Sequence, residues 1–170
     1  MFTKILIPTD GSTLGNLSAL EGVSMAKKVG AEVVGSYVSR ELQNPLFDFS
    51  EIRPKNYPTK EEYAAFVLAA GDDFLKPVKE AAANAGVKFS GITKISNATA
   101  RTIVETAEEN ECNLIFMGSH GCAGWGHNLL GSVATKVLST TQIPTLIFRL
   151  RAEPEPEQEK VSRYNSPVGV

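Results

Sequence analysis

Short apolar runs recur along the chain, and each is bounded by glycine, proline or polar turn residues. Runs of this length with such boundaries are typical of buried β-strands. The pattern predicts strands at residues 4–8, 31–38, 87–95, 113–117 and 144–150.

Between these runs the apolar residues are spaced three and four apart, which is the period of an amphipathic helix. Ser12 is placed to cap the first helix, and Asn97 or Thr99 to cap the third. The second helix is predicted over 60–85, where Pro77 is expected to kink or divide it. Its apolar face is predicted to hold Phe66, Ala70, Phe74, Val78, Ala81 and Ala85.

Strands that alternate with helices indicate an α/β fold, because parallel neighbours need a crossover between them. We therefore predict an open, doubly wound sheet of parallel strands with helices on both faces, a Rossmann-like architecture. Ligands of such sheets bind beyond the carboxyl ends of the strands, where the strand order reverses. The candidate ligand-binding segments are therefore 8–11, 38–39 and 117–121.

One connection, residues 39–59, is unusually long and contains three prolines. Connections of this length are often functional, or serve as lids. The segment is expected to pack on an apolar surface, which can belong to its own domain or to a second copy of the chain. The residues that suggest this packing are Leu46, Phe47, Phe49, Ile52 and Tyr57.

Composition argues against two kinds of partner. The 170 residues include 17 Lys and Arg against 19 Asp and Glu, a net charge of −2, which is too few cations for a broad nucleic-acid surface. No stretch approaches the roughly 20 apolar residues of a membrane helix, and no basic cluster favours a membrane surface. The two cysteines form no disulfide framework, and the first apolar run is too short for a signal peptide, so we expect a soluble, cytoplasmic protein.

The last twenty residues differ in composition from the rest. Residues 1–150 are predicted to form one domain, and residues 151–170 an acidic, disordered tail rich in Glu and Pro. Within 152–170, four Glu stand against one Lys and one Arg, so this stretch carries a net charge of −2 and residues 1–151 are formally neutral. A short motif for a partner in this tail stays open.

A glycine-rich loop follows the fourth predicted strand and leads into the last helix, with five glycines between residues 118 and 131. Glycine lets a ligand approach the main chain, and successive N–H groups form an anion site. Gly131 and Ser132 open the helix, whose first N–H groups and dipole favour a phosphate. The Walker pattern and the dinucleotide fingerprint are both absent from their expected places.

The spacing of Gly118, Gly121 and Gly131-Ser132, with two and then nine residues between them, resembles the nucleotide-binding signature of the universal stress protein family. Residues 5–12, 114–121, 129–134 and 143–147 resemble further segments of that family, so that the similarity covers about residues 2–150. The resemblance implies the fold of the adenine-nucleotide alpha-hydrolases. It also implies a stress-response sensor or regulator that binds ATP, ADP or AMP, with Mg²⁺ accompanying the phosphates of ATP.

Carried over by position, the resemblance places the nucleotide across the carboxyl edge of the sheet. Asp10 would bond the ribose or adenine side, with Pro8 and Thr9 beside it. Val38 would line the adenine pocket, and Met117 would lie against the nucleoside.

The phosphate side is implied in the same way. Gly118 and Gly121 would let the loop approach the phosphates, while Gly131, Ser132 and Val133 would supply N–H donors. Family members that hold a triphosphate often have Arg or Lys in the interval that corresponds to 122–130, whereas this chain has none there. Because charge-assisted contacts are the stronger ones, we expect a weak hold on the third phosphate and little selectivity among ATP, ADP and AMP.

Other functions stay open. A dimeric interaction module of the same fold, without a bound nucleotide, fits the missing cation. A slow ATP hydrolase or self-phosphorylating protein is disfavoured, because no general base is positioned. No catalytic residue is predicted, since the adjacency of Ser119 and His120 does not by itself produce triad geometry.

Two further expectations concern metals and assembly. His120, Cys122 and His127 imitate a metal cluster, but a zinc site needs three or four ligands in the right geometry and the chain offers only these and Cys112, so no metal site is predicted. The fifth predicted strand is apolar, and leaving it bare at a sheet edge would invite association. We therefore predict a homodimer through residues near 143–150.

Overall fold

The computed structural model describes residues 1–42, 58–120 and 130–150. Within these ranges five strands and four helices alternate along the chain. The strands are β1 (Lys4–Pro8), β2 (Glu32–Ser39), β3 (Phe89–Ile95), β4 (Leu114–Gly118) and β5 (Thr145–Phe148). The helices are α1 (Thr13–Val29), α2 (Lys60–Ala85), α3 (Thr99–Glu109) and α4 (Ser132–Thr140).

All the strands are parallel, and their order in the sheet is β3-β2-β1-β4-β5. Leu6 at the centre of β1 stands opposite Val34 of β2 on one side and Ile115 of β4 on the other. The chain therefore starts in the middle, builds outward to β3, and returns to the other side of β1. The strand order reverses between β1 and β4, which confirms the predicted doubly wound α/β sheet.

Two apolar clusters, one on each face, hold the helices to the sheet. Ile5 and Ile7 face the cluster that contains α1 and α2, whereas Leu6 between them faces the cluster that contains α3 and α4. Alternate side chains of a strand point to opposite faces, so a strand that is covered on both faces must be apolar at every position. This explains why the central strands read as continuous apolar runs.

The helix caps show where local sequence decides the structure. Ser12 caps α1, as predicted, with its Oγ accepting from Gly15 N at 3.0 Å. The prediction that Asn97 or Thr99 caps α3 is wrong, because the N-cap is Ala98, which has no side-chain cap bond. The side chain of Asn97 is instead hydrogen-bonded to Glu41, which follows the neighbouring strand β2.

Helix α2 departs from the prediction in two ways. The helix is not divided at Pro77. Proline has no N–H to donate to the carbonyl of Asp73, four residues earlier, but Asp73 is exposed and water can bond to that carbonyl instead. The predicted apolar face is wrong as a set, since Phe66 is 68% exposed. The buried positions follow a neighbouring stripe, made of Val67, Gly71, Leu75, Val78 and Ala82.

Three predicted features lie outside the described residues: most of the 39–59 connection, loop residues 121–129 and the acidic tail. None of the helices in the described ranges combines the length and the apolarity that a bilayer crossing requires.

Candidate functional site

The carboxyl ends of β1 and β4 lie side by side at the point where the strand order reverses. The residue after each strand makes one further backbone hydrogen bond to the neighbouring strand. Thr9 N donates to Ser36 O of β2 (2.9 Å), and Ser119 N donates to Phe148 O of β5 (2.8 Å). A third bond, from Gly131 N to Ser119 O (2.8 Å), ties the start of α4 to the end of β4. The turn after β1, the end of β4 and the start of α4 therefore meet at one edge.

The start of α4 has the properties of an anion site. Gly131 is the N-cap and provides no side chain to the first turn, and the first helical bond is from Thr135 N to Gly131 O. The N–H groups of Ser132 and Val133 therefore have no partner within the helix. The Gly131 N–H is already bonded to Ser119 O, so two of the three predicted backbone donors remain for a ligand.

Close approach explains the glycine at position 131. A Cβ added there would lie 2.9 Å from the carbonyl oxygen of Ser119 and 3.6 Å from Cα of His120. The first of these distances is shorter than van der Waals contact allows, so any larger residue would push the start of α4 away from β4.

Asp10 follows β1 and has a structural role of its own. Its Oδ1 accepts from Ser12 N at 3.0 Å and from Ser12 Oγ at 2.6 Å, which closes the turn into α1. The residue is exposed at the sheet edge, beside Gly11 with φ of 74°. This placement is compatible with the predicted ligand role, which stays a prediction.

Thr9 stabilises the same turn. It is buried, and its Oγ1 both donates to Asn16 Oδ1 at 3.1 Å and accepts from Gly11 N at 3.2 Å. The amide of Asn16 also donates to Gly11 O at 3.3 Å. Thr9 and Asn16 therefore fix the backbone that presents Asp10 to the edge.

On the far side of β1, the end of β2 is held by a polar cluster. Tyr63 Oη donates to Arg40 O at 2.7 Å, and Glu41 exchanges two hydrogen bonds with the Asn97 side chain, at 3.2 and 3.0 Å. The cluster fixes the chain directly after Val38, which is half-buried against the α3–α4 core. The sequence did not predict the roles of Tyr63 and Glu41. The position of Asn97, two residues after the end of a strand, was the one sequence signal for this cluster.

Met117 and Gly118 end β4. The Met117 side chain is 6% exposed and packs in the α3–α4 core, while Gly118 is half-buried. Gly121, the next predicted site residue, lies outside the described residues.

The side chains of Ser119 and His120 are in contact. Ser119 Oγ and His120 Nδ1 are 3.1 Å apart, and Ser119 is buried. A catalytic triad also requires a third group that orients the base. Within the described ranges no carboxylate is bonded to this imidazole, so the pair does not make a triad there.

Groups with a displaced pKa lie at the opposite end of the strands. Burial raises the pKa of Cys112, just before β4, to about 11. A hydrogen bond from Lys88 lowers the pKa of Glu32, the first residue of β2. Among the described residues, no three His, Cys, Asp or Glu come together as a metal site.

A family model described as the universal stress protein family matches residues 1–149. The chain belongs to this family. Universal stress protein MJ0531 of Methanocaldococcus jannaschii is 33% identical over 149 residues, which cover 88% of this chain and 83% of that protein. Universal stress protein YxiE of Bacillus subtilis is 32% identical, covering 88% of this chain and all of its own.

Solved structures of universal stress proteins share the fold. Protein MJ0577 of the same archaeon has a TM-score of 0.72 at 26% identity, covering 90% of this chain and 99% of its own. A universal stress protein in complex with cAMP has a TM-score of 0.60 at 19% identity, covering 87% and 97%. One from Archaeoglobus fulgidus in complex with dAMP has a TM-score of 0.56 at 14% identity, covering 86% and 97%. Because the sequence identities of the cAMP and dAMP complexes to this chain are low, their similarity shows a shared fold only.

Proposed function

We propose that this universal stress protein binds an adenine nucleotide at the carboxyl edge of β1 and β4, as a sensor or regulator in a stress response. The observation that carries the proposal is the start of α4, which lacks a side-chain cap and lies against the end of β4. A helix start with unpaired N–H groups favours a bound phosphate. The cAMP and dAMP complexes of two proteins of this fold support a nucleotide as the ligand.

The proposed orientation follows the order of the strands. The phosphates would lie at Ser132 and Val133, the ribose beside Asp10, and the adenine towards Val38. Because β1 is paired with β4 on one side and β2 on the other, these groups follow one another along a single edge. Pro8, Thr9, Met117, Gly118, Gly121 and Gly131 would shape the edge around the ligand.

The phosphate donors at the start of α4 are neutral, and residues 122–130 contain no Lys or Arg. A third phosphate would therefore gain no charge-assisted bond from that interval. We expect the dissociation constants of AMP, ADP and ATP to lie within about tenfold of one another. Mg²⁺ would arrive with ATP, since the described residues offer no cluster of three ligands for it.

Isothermal titration with AMP, ADP and ATP, with and without Mg²⁺, tests the proposal. Gly131→Ala should weaken binding at least tenfold, because its Cβ would lie 2.9 Å from Ser119 O and displace the phosphate donors. Gly91→Ala is the matched control: its Cβ would lie 3.2 Å from Leu75 Cδ1, on the edge strand β3. Absence of heat with all three nucleotides at high micromolar protein would refute nucleotide binding.

One observation favours a second candidate function. The interval 122–130 lacks a permanent cation, which suits a family member that acts through protein contacts and holds no nucleotide. The two functions are separated by denaturing protein purified without added ligand and measuring the absorbance of the supernatant at 260 nm. A stoichiometric release of nucleotide would exclude the interaction module as the sole function.

We also propose a homodimer through β5. This strand bonds to β4 on one side and is the last strand of the sheet, so its other edge is open within the described ranges. Its residues Thr145–Phe148 are half-buried and mostly apolar, and such an edge favours pairing with a second copy. Light scattering should give twice the chain mass of 18.3 kDa, and a monomer mass at micromolar concentration would contradict the dimer.

A further inference from the structure

The hydroxyl of Ser18 is buried without a hydrogen-bond partner. Ser18 lies in α1 and is 3% exposed, and within the described parts of the chain nothing bonds to its Oγ. Nearly all buried polar groups in proteins are paired, so a buried hydroxyl without a partner calls for a physical explanation.

Packing does not supply that explanation. The sheet-facing side of α1 carries small residues, because a Cβ at Gly22 would already lie 2.7 Å from Ile7 Cδ1 and 2.8 Å from Phe116 Cδ1. Alanine occupies two other buried positions of the same helix, Ala19 and Ala26. An alanine at position 18 would fill the space of Ser18 with no desolvated hydroxyl, so the hydroxyl itself adds a cost to the folded chain.

The position of the hydroxyl suggests its use. A Cβ added to Gly118, the last residue of β4, would lie 3.2 Å from Ser18 Oγ and 3.2 Å from the carbonyl oxygen of His120. A hydroxyl donor of α1 and a carbonyl acceptor of the chain after β4 therefore both lie on the side of Gly118 where a side chain would stand, too close together to leave room for a methyl group. That segment leads to Gly131 and the start of α4.

We infer that Ser18 is a positioning residue of the proposed nucleotide site. When a ligand draws the backbone at 118–120 towards α1, Ser18 Oγ donates to the His120 carbonyl. A bond that forms only with the ligand in place adds to affinity through the difference between the two forms. This inference rests on the proposed function.

Ser18→Ala gives the test, with two readouts of opposite sign. Without ligand, the variant should unfold at a higher urea concentration than the wild type, because it no longer buries an unpaired hydroxyl. Its affinity for AMP, measured by titration calorimetry, should fall about two- to tenfold, the equivalent of one hydrogen bond. Ser24→Ala, at a half-buried serine of the same helix, is the matched control and should bind AMP like the wild type.

Ser18→Cys separates the hydrogen bond from the shape of the side chain. The thiol has nearly the same shape but is a weak donor, so its affinity should lie between those of the wild type and Ser18→Ala. A lower stability of Ser18→Ala without ligand would overturn the inference, because it would mean that the hydroxyl already has a partner.

The outcome also separates this inference from the proposed function. Equal AMP affinities in the wild type and Ser18→Ala would overturn the role of Ser18 and leave nucleotide binding intact. No heat from the wild type with AMP, ADP or ATP would refute nucleotide binding, and the role of Ser18 would fall with it.

Discussion

One hydroxyl group, that of Ser12, connects the cap of α1 to the proposed ligand residue Asp10. Its oxygen accepts from Gly15 N at 3.0 Å and donates to Asp10 Oδ1 at 2.6 Å. Ser12→Ala removes both bonds but keeps the bond from the backbone N–H of residue 12 to Asp10 Oδ1, at 3.0 Å. We expect this one change to lower both the stability of the fold and the affinity for a nucleotide.

The size of each effect follows from the geometry. Loss of an N-cap hydroxyl costs about 1 kcal/mol. The lost bond to Asp10 adds little, because that carboxylate is exposed and water can replace the hydroxyl. The melting temperature should therefore fall by about 2–4 °C for a domain of this size. Asp10 also gains rotational freedom, and AMP should bind about two- to tenfold more weakly if its hydrogen bond to the ligand is lost.

Thr59→Ala is the control that separates the two effects. Thr59 caps α2 through a capping box, with Oγ1 accepting from Glu62 N at 3.0 Å and its N–H donating to Glu62 Oε2 at 2.6 Å. Both variants should lose similar free energy of unfolding in urea, measured by circular dichroism, whereas AMP titration should weaken only for Ser12→Ala. Equal affinities of Ser12→Ala and the wild type would refute the role given to Asp10, and recovery by Ser12→Thr would support it.

Three further predictions concern stability. Leu6→Ala, in the middle of the sheet and 0% exposed, should lower the free energy of unfolding in urea by about 2–5 kcal/mol, and a loss below 1 kcal/mol would contradict its place in the core. Gly71→Ala should cost about 1–3 kcal/mol because its Cβ would overlap the Thr93 side chain, whose Oγ1 is the nearest atom, and adding Thr93→Ala should recover part of the loss in the same assay. The native pKa of Cys112 is about 11 against 9.0 for a free thiol, so its contribution to stability is present below pH 9 and is lost as the pH rises towards 11. In a Cys122→Ser background, urea unfolding between pH 7 and 10.5 should show this fall, and Cys112→Ala should reduce it.

The order of the elements could be predicted because burial on both faces makes the central strands continuously apolar. Residues 4–8 were predicted and observed with the same bounds, since β1 has a covered face on each side. The face of α2 could not be predicted in the same way. Alanine and other apolar residues occupy two neighbouring stripes of this helix, and the buried stripe is the one with Gly71, where an added Cβ would overlap the side chain of Thr93, 22 positions later in the chain.

The location of the candidate site could be predicted from the sequence more readily than the contacts within it. Asp10 and Ser132 follow from turn and helix-start patterns, and both lie at the edge where β1 and β4 end. The contact of Ser119 with His120 depends on side-chain geometry, and the gap between Ser18 and Gly118 depends on how closely α1 approaches β4. Such distances are set by tertiary packing, which no local pattern in the sequence encodes.

The pairing of β1 with β4 has a consequence for biosynthesis. These two strands are joined by residues about 110 positions apart, as the bond from Thr3 N to the Asn113 side chain shows. On the ribosome β1 and β2 emerge early, and one edge of β1 has no native partner until β4 has left the exit tunnel. The start of α4 follows later still. A nucleotide at the proposed site therefore cannot assist β1 and β2 to fold as they emerge, and any stabilisation that it gives begins only once the start of α4 has emerged as well.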